Sequence, residues 1–343
     1  MGNFVNKFIL APYYWTLRLR NALYDKGIFK SRSFDIPTIC IGNVTVGGTG
    51  KTPHTEMFIR EYLKSGMRVA VVSRGYGRKS SGYKEVNVDD KVTMVGDEPL
   101  QIKRKFPQVQ VIVDANRCRA LDILRNQEVR PDVVLLDDAF QHRKIKPTYS
   151  VLLIDYSLPI FKDSLLPIGR LRDTPEQIKR ADAVIITKIP SRLERWDKEV
   201  LKTINKVSPQ QRIYFSTIEY KDITAVFKDV ANNRYIYSSE AILLTGIANS
   251  TPMRRYLSSI YKTIYAIEYR DHHNYSDNDM KLILKKIYEH PNAVIITTEK
   301  DMQRIIDVKY IDKSTKERLF YLPIESRILD EENKELFDYN LNK

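Results

Sequence analysis

The sequence predicts an α/β fold: a mostly parallel sheet covered by helices, with a second, smaller α/β domain. Three observations carry this. From Pro37 onward, short β-branched runs alternate with amphipathic stretches, the pattern of βαβ units. A glycine-rich loop ending in Gly50-Lys51-Thr52 separates the first such run from the first such stretch. After the charged, Trp-containing stretch Arg192–Lys206, a second series of strand and helix runs begins.

Residues 1–35 come first and read as an amphipathic segment. Phe8-Ile9-Leu10-Ala11-Pro12-Tyr13-Tyr14-Trp15 is an uncharged run, far short of the roughly 20 apolar residues of a spanning helix. Around it Lys7, Arg18, Arg20, Lys26, Lys30 and Arg32 outnumber Asp25 and Asp35. Aromatic rings beside cations suit a membrane surface, where rings sit at headgroup level and cations meet acidic lipid. The same composition suits a helix that packs on the protein body through its aromatic side.

Residues 36–210 form the core unit. Its strand runs are Thr38–Gly42, Val69–Ser73, Val109–Asp114, Val133–Asp137, Val151–Asp155 and Ala183–Thr187. Helix-like segments Thr52–Ser65, Pro99–Phe106 and Arg117–Gln127 lie between them. The runs are continuously apolar, as strands covered on both faces are. Ser80–Met94 breaks the rhythm and reads as a small irregular or hairpin insert. Residues 211–343 form the smaller unit, with runs at Arg212–Thr217, Ala241–Thr245, Thr263–Tyr269, Ala293–Thr297 and Leu319–Leu322. The tail from Glu325 is acidic and polar, and reads as partly loose.

A chain of 343 residues with 43% apolar side chains supports two packed cores, which excludes wholesale disorder. Lys and Arg total 56 against 43 Asp and Glu, and the resulting +13 favours anionic partners. Two cysteines, Cys40 and Cys118, exclude a disulfide framework and a thiolate-rich metal site, and fit a reducing cytoplasmic compartment.

The strongest chemical signal runs from Ile41 through Thr45-Val46-Gly47-Gly48-Thr49-Gly50-Lys51-Thr52. It follows an apolar strand and precedes a helix, the context of a phosphate-binding loop and of a P-loop NTPase-like sheet. Glycines let backbone N–H groups converge on phosphate oxygens, and the helix N-terminus adds its positive dipole end. Lys51 is placed to reach the β- and γ-phosphates of ATP, and the Thr52 hydroxyl to ligate Mg²⁺. One departure is that Thr45 stands where the general pattern has its first glycine.

Val133-Val134-Leu135-Leu136 leads into Asp137-Asp138, the companion carboxylates expected at a neighbouring strand end. They hold Mg²⁺ on one reading and cap the following turn on the other. Gln141 and His142 follow at once and line the same sheet end. Arg74, after the second strand, is either an oxyanion contact on the substrate or a solvated cation. Lys188 either flanks the adenine or simply ends its strand.

These motifs, with Ser73-Arg74-Gly75-Tyr76-Gly77, Gly96-Asp97-Glu98-Pro99, Asp137-Asp138-Ala139-Phe140-Gln141-His142-Arg143, Leu166–Arg172, Asp271-His272-His273 and Thr297–Asp301, occur in one order along nearly the whole chain. In this the chain resembles the lipid A 4′-kinase (tetraacyldisaccharide 4′-kinase) family. Two positions depart from that pattern: Ala139 replaces a usual Gly, and Asp173 stands where Glu is expected. The resemblance implies transfer of the ATP γ-phosphoryl to the 4′-hydroxyl of an acylated glucosamine disaccharide 1-phosphate. It implies action at the cytoplasmic face of the inner membrane, with ATP and Mg²⁺ as cofactors; family members differ in whether the N-terminal segment crosses the membrane, and its length here argues for a peripheral, surface-lying one. It also implies Asp97 as the base, supported by His272, with Lys51 completing the catalytic set. Read locally, Asp97-Glu98-Pro99 is a helix N-cap with acids in its first turn, and His272 a loop histidine.

A P-loop ATPase that drives partner association is the alternative. Such proteins generally carry a further Lys near the loop start, and Thr45 and Val46 supply none. Nucleic acid is excluded as a partner, because the basic residues are spread along the chain and no recognition motif accompanies them.

Overall fold

The computed structural model describes residues 10–190, 194–329 and 334–339, together with Phe4 and Phe8. The rest of the N-terminal run, the beginning of the Arg192–Lys206 stretch and the end of the polar tail lie outside the described residues.

The strands, in chain order, are β1 (Thr38–Gly42), β2 (Val69–Ser73), β3 (Lys84–Glu85), β4 (Gln110–Val113), β5 (Val133–Asp137), β6 (Tyr149–Asp155), β7 (Ala183–Thr187), β8 (Arg212–Tyr220), β9 (Thr224–Ala225), β10 (Glu240–Thr245), β11 (Thr263–Glu268), β12 (Val294–Thr298), β13 (Leu319–Leu322) and β14 (Ile324–Ile328). Among the described residues they form two sheets. The larger has the order β14-β8-β7-β6-β1-β5-β2-β4-β3, and the smaller β11-β10-β12-β13-β9. Every pairing from β8 to β4 is parallel, with the antiparallel strands β14 and β3 at the two edges. The smaller sheet is parallel apart from β9.

The side-chain pattern explains the layering. In β1 and β2, Ile39, Ile41, Val69 and Val71 share one core with Phe58 and Tyr62 of the helix Lys51–Lys64. Cys40, Ala70 and Val72 point the other way, into a core with Leu121 and Leu124 of the helix Arg117–Arg125. Both faces are therefore apolar, and β1, β2, β5 and β7 are buried along their whole length. The α/β expectation holds.

Three local readings are refined. Arg212–Thr217, read with the second unit, lies in β8, which pairs with β7 in the larger sheet. The polar tail contributes β14, antiparallel to β8 from Ile324↔Tyr220 to Ile328↔Ser216. Its alternating, half-polar side chains suit an edge strand and carry little hydrophobic signal. The helix Ala11–Asp25 buries Tyr14, Leu17 and Asn21 against the body and leaves Trp15 and Leu19 in solvent.

A polar seam joins the two sheets where the helix Asp97–Lys105 meets the helix Glu299–Ile305. Lys105 Nζ lies 2.7 Å from Glu56 Oε2 and 2.8 Å from Glu299 Oε1, and Gln101 donates to Glu56 Oε1 at 2.8 Å. Arg104 donates to Gln303 Oε1 at 2.7 Å. The Glu56 side chain is 1% exposed, so its charge depends on Lys105. Lys105→Met is expected to cost about 3 kcal/mol in urea denaturation, because it strands a buried carboxylate. Adding Glu56→Gln and Glu299→Gln should recover most of that loss; no recovery would mean the lysine acts by packing.

Candidate active site

The loop after β1 is built for close backbone approach. Gly47 and Gly50 have φ of +99° and +87°, a region that favours glycine, and Gly50 leads straight into the helix Lys51–Lys64. Thr45 does not adopt a positive φ; its backbone instead bridges Leu171. A glycine is therefore not required there. The loop is braced from three sides: Asn43 Nδ2 donates to Thr49 Oγ1 at 2.7 Å, Thr187 Oγ1 to the Thr49 carbonyl at 2.9 Å, and Val46 N–H to the Arg170 carbonyl at 2.7 Å. His54 lies buried beneath it, with Nδ1 2.7 Å from the Gly50 carbonyl and Nε2 2.8 Å from Ser216 Oγ on β8. Ser326 Oγ on β14 lies 3.1 Å from Nδ1. Burial pushes this imidazole down to about 4, so it is neutral near pH 7.

The paired acids at the end of β5 have different surroundings. Asp137 is buried, accepting from Thr55 Oγ1 at 3.2 Å and from Ser73 Oγ at 3.3 Å. Burial first, then the charges of Glu98 and Asp138, push its carboxyl up from 3.8 to about 7. Asp138, at φ +45°, turns toward cations instead. Arg172 grips both its oxygens at 2.6 and 3.0 Å, and Lys51 Nζ lies 3.9 Å away. Burial works to raise the Asp138 carboxyl, but Arg172, Lys51 and Arg117 outweigh it and hold it low. Asp138 is thus neutralised, whereas Asp137 has only hydroxyl donors. With the Thr52 hydroxyl at the helix start, these are hard oxygen donors of the type that suits Mg²⁺.

Gln141 is committed to bracing: its Nε2 donates to the Asn43 carbonyl at 2.5 Å and its own carbonyl accepts from Arg20 at 2.8 Å. His142 has a buried Nε2 with no hydrogen-bond partner. Burial, then Arg117, Lys144, Arg20 and Arg74, push it down to about 4. Arg74 is exposed beside it, and the buried Arg117 has an unpartnered Nε. Lys188 pairs with Asp155 at 2.7 Å. Asp173 is fully buried and accepts from Asn21 Nδ2 and Thr174 N–H, both at 2.8 Å, so it ties the N-terminal helix to the body.

Asp97 and His272, 175 positions apart, meet across the two sheets: His272 Nδ1 lies 3.1 Å from Asp97 Oδ2. Asp97 is 4% exposed at the start of its helix, with Oδ1 accepting from Glu98 N–H at 2.9 Å. Burial works to raise this carboxyl, but the His272 hydrogen bond and the Lys300 and Arg304 cations hold it well below the usual range. Glycines set the position. A Cβ on Gly96 would lie 3.1 Å from the Tyr76 carbonyl, and one on Gly75 would lie 3.0 Å from the Val95 carbonyl. These two loops therefore touch backbone to backbone, and the Tyr76 ring reaches within 5.4 Å of the His272 ring. Gly75 and Tyr76 follow β2 and touch Gly96, so the pair borders the end of the sheet at which β1, β2 and β5 deliver their loops.

Known proteins resemble this chain over nearly its whole length. The family model described as tetraacyldisaccharide-1-P 4′-kinase matches residues 8–342. The chain belongs to that family. It is 41% identical to the tetraacyldisaccharide 4′-kinase of Phocaeicola vulgatus, over 98% of this chain and 94% of that one. It is 39% identical to the enzyme of the same name from Porphyromonas gingivalis, over 97% and 96%. The crystal structure of LpxK from Aquifex aeolicus in complex with ATP superposes with a TM-score of 0.71, at 27% identity over 96% of both chains.

Within this kinase family member, His54, Arg117, Arg172 and Arg304 border the candidate site and are absent from the sequence-derived candidates. Arg172 closes the Leu166–Arg172 motif, but only the fold reveals its partner, Asp138. Asp137 also makes a pH-dependent contribution to stability. Its folded-state value lies above its unfolded one, so its contribution is full below about pH 4 and is lost as pH rises through about 7. Asp137→Asn is expected to stabilise the metal-free protein at pH 8 by on the order of 2–4 kcal/mol in urea denaturation with chelator present. Equal stability of variant and wild type at pH 8 would mean that the carboxyl is not raised.

Proposed function

We propose that this protein transfers the γ-phosphoryl of ATP to the 4′-hydroxyl of a tetraacylated glucosamine disaccharide 1-phosphate, a lipid A biosynthetic step. The observation that carries the reading is the meeting, at one sheet end, of the phosphate loop, the paired acids and the Asp97–His272 pair. The backbone of Thr45–Thr52 cradles the phosphates, and Lys51 reaches the β- and γ-oxygens. Thr52 and Asp137 hold Mg²⁺, with Asp138 behind them as the anchor for Arg172 and Lys51. The ion's chemistry is to neutralise charge developing on the phosphate oxygens.

Asp97 and His272 act as one unit toward the acceptor hydroxyl. Asp97 is the base in this reading; the His272 side chain, 35% exposed against 5% for Asp97, is the member open to solvent in this conformation. Arg74, Arg117 and His142, with Arg20 and Lys144 nearby, form a cationic corner suited to an anionic sugar head. We assign the core to a phosphate-loop unit and the smaller sheet to a lid-like second unit, the chain passing between them after β8 and before β14.

Among the described residues no helix is long and apolar enough to cross a membrane. Phe4, Phe8, Trp15 and Leu19 are exposed at near-helical spacing, opposite the buried Tyr14, Leu17 and Asn21. That stripe, with Arg18 over the Trp15 ring at 5.4 Å, suits peripheral contact with the cytoplasmic face of the inner membrane.

The decisive assay follows label from γ-labelled ATP onto purified acylated disaccharide 1-phosphate. Wild type should label the lipid, and Lys51→Ala should abolish it. Asp97→Ala should lower kcat by about 10²–10⁴-fold with little change in the KM for ATP. ATP hydrolysis without lipid label would favour the partner-driven ATPase instead. Trp15→Ser with Leu19→Ser should impair transfer on vesicles more than in detergent, and equal loss in both would remove the membrane role of the stripe.

A further inference from the structure

Arg304 lies on the helix Glu299–Ile305, with its side chain 3% exposed. Its guanidinium spans the two units. Nη2 donates to Asp97 Oδ2 and lies 3.2 Å from His272 Nδ1. Nη1 lies 3.2 Å from Asp301 Oδ1, 3.4 Å from the Gly246 carbonyl and 3.5 Å from the His273 carbonyl. Asp301 accepts in turn from Gly246 N–H at 3.0 Å and from Thr298 Oγ1 at 2.7 Å. The guanidinium is therefore gripped by its own unit on one side while it grips Asp97 on the other.

Lys300 orders the ring. Its Nζ lies 3.1 Å from His272 Nε2, 3.5 Å from Glu98 Oε1, 3.6 Å from Asp271 Oδ1 and 4.0 Å from Asp97 Oδ2. Lys300 and Arg304 therefore bring a cationic donor to each ring nitrogen, and Asp97 Oδ2 lies against the same Nδ1 as Arg304. His272 has a φ of +60°, uncommon for a residue with a side chain, and its N–H is held by the Gly246 carbonyl at 3.2 Å. The groups that act on Asp97 are thus His272 from the loop after β11 and Lys300 and Arg304 from the helix after β12, with Glu98 beside it on its own helix and Asp271 and Asp301 paired to those two cations.

We propose that Arg304 is a positioning residue for phosphoryl transfer, locking the Asp97 carboxylate and the His272 ring into one register across the two sheets. This rests on the transfer reading above. Arg304 touches neither nucleotide nor acceptor in this assignment; it acts through the pair. Its removal leaves a buried carboxylate short of a charge partner and frees the loop that carries the imidazole. The segment Thr298–Arg304 then has one common purpose, with Thr298 and Asp301 fixing the Gly246 turn, Lys300 holding the ring at Nε2 and Arg304 setting the carboxylate.

The test compares wild type, Arg304→Gln and Arg304→Lys as full chains. Arg304→Gln should lower kcat about 100-fold while the KM for ATP stays within about threefold, as expected for lost orientation. The acid limb of its kcat–pH profile should move to higher pH, because Asp97 loses a cation that keeps it ionised. Arg304→Lys should recover part of the rate and move the limb back. Imidazole ¹⁵N NMR reads the pair without lipid: the His272 ring-nitrogen shifts should differ between wild type and Arg304→Gln. A kcat within threefold of wild type in Arg304→Gln overturns the proposal, as does a rate loss with both acid limb and ring-nitrogen shifts unmoved. If Arg304→Gln does not fold, the limb and shifts of Arg304→Lys decide, and wild-type values in full overturn it. If wild type fails to label lipid, the transfer reading falls, and the shift comparison alone decides whether Arg304 orders the pair.

Discussion

Parallel pairing of the central strands is the constraint on which the site depends. β1, β2, β5 and β6 run the same way, so the loops that follow them emerge at one end of the sheet. The phosphate loop after β1, the paired acids after β5 and Arg74 after β2 become neighbours without any local signal that they should. A sheet apolar on both faces leaves that end as the place where buried strands meet solvent and charged groups are tolerated.

Charge gathered at a low-dielectric sheet end has to be compensated, and this explains the division of labour between two adjacent aspartates. Asp138 adopts a left-handed backbone and takes Arg172 and Lys51. Asp137 keeps the strand direction, accepts from the Thr55 and Ser73 hydroxyls and, among the described residues, has no ion pair of its own, although Lys51 acts on it from farther off. The same economy appears in His54, a neutral imidazole that ties the phosphate loop to β8 and β14 through two serines.

The second unit completes the site from above. It supplies His272, Lys300 and Arg304, while the first supplies Asp97, and the Glu56–Lys105–Glu299 seam lies alongside. Ion pairs in this position set relative geometry more than they stabilise, since their desolvation cost offsets much of the attraction. Alignment of the Asp97–His272 pair with the phosphate loop is therefore a property of the interface between the units.

The strand runs and the phosphate loop were legible in the sequence because their signals are local: β-branched runs, glycines at set spacing, a lysine at a helix start. The carboxylates after β5 were legible for the same reason, as was the family order of motifs. β14 was not, because a half-polar edge strand carries little hydrophobic pattern and its partner lies about a hundred residues earlier. Nor was the commitment of Gln141 to the Asn43 carbonyl, the anchoring of the N-terminal helix by Asp173, or the joining of Arg304 to Asp97 across 207 positions. The sequence by itself determined the α/β architecture, the phosphate loop and the residue types at each strand end. Only the tertiary structure decided which acid is neutralised, which histidine faces Asp97 and which arginine holds them together. Side-chain chemistry is carried by the chain, but partnership between distant side chains is assigned by packing.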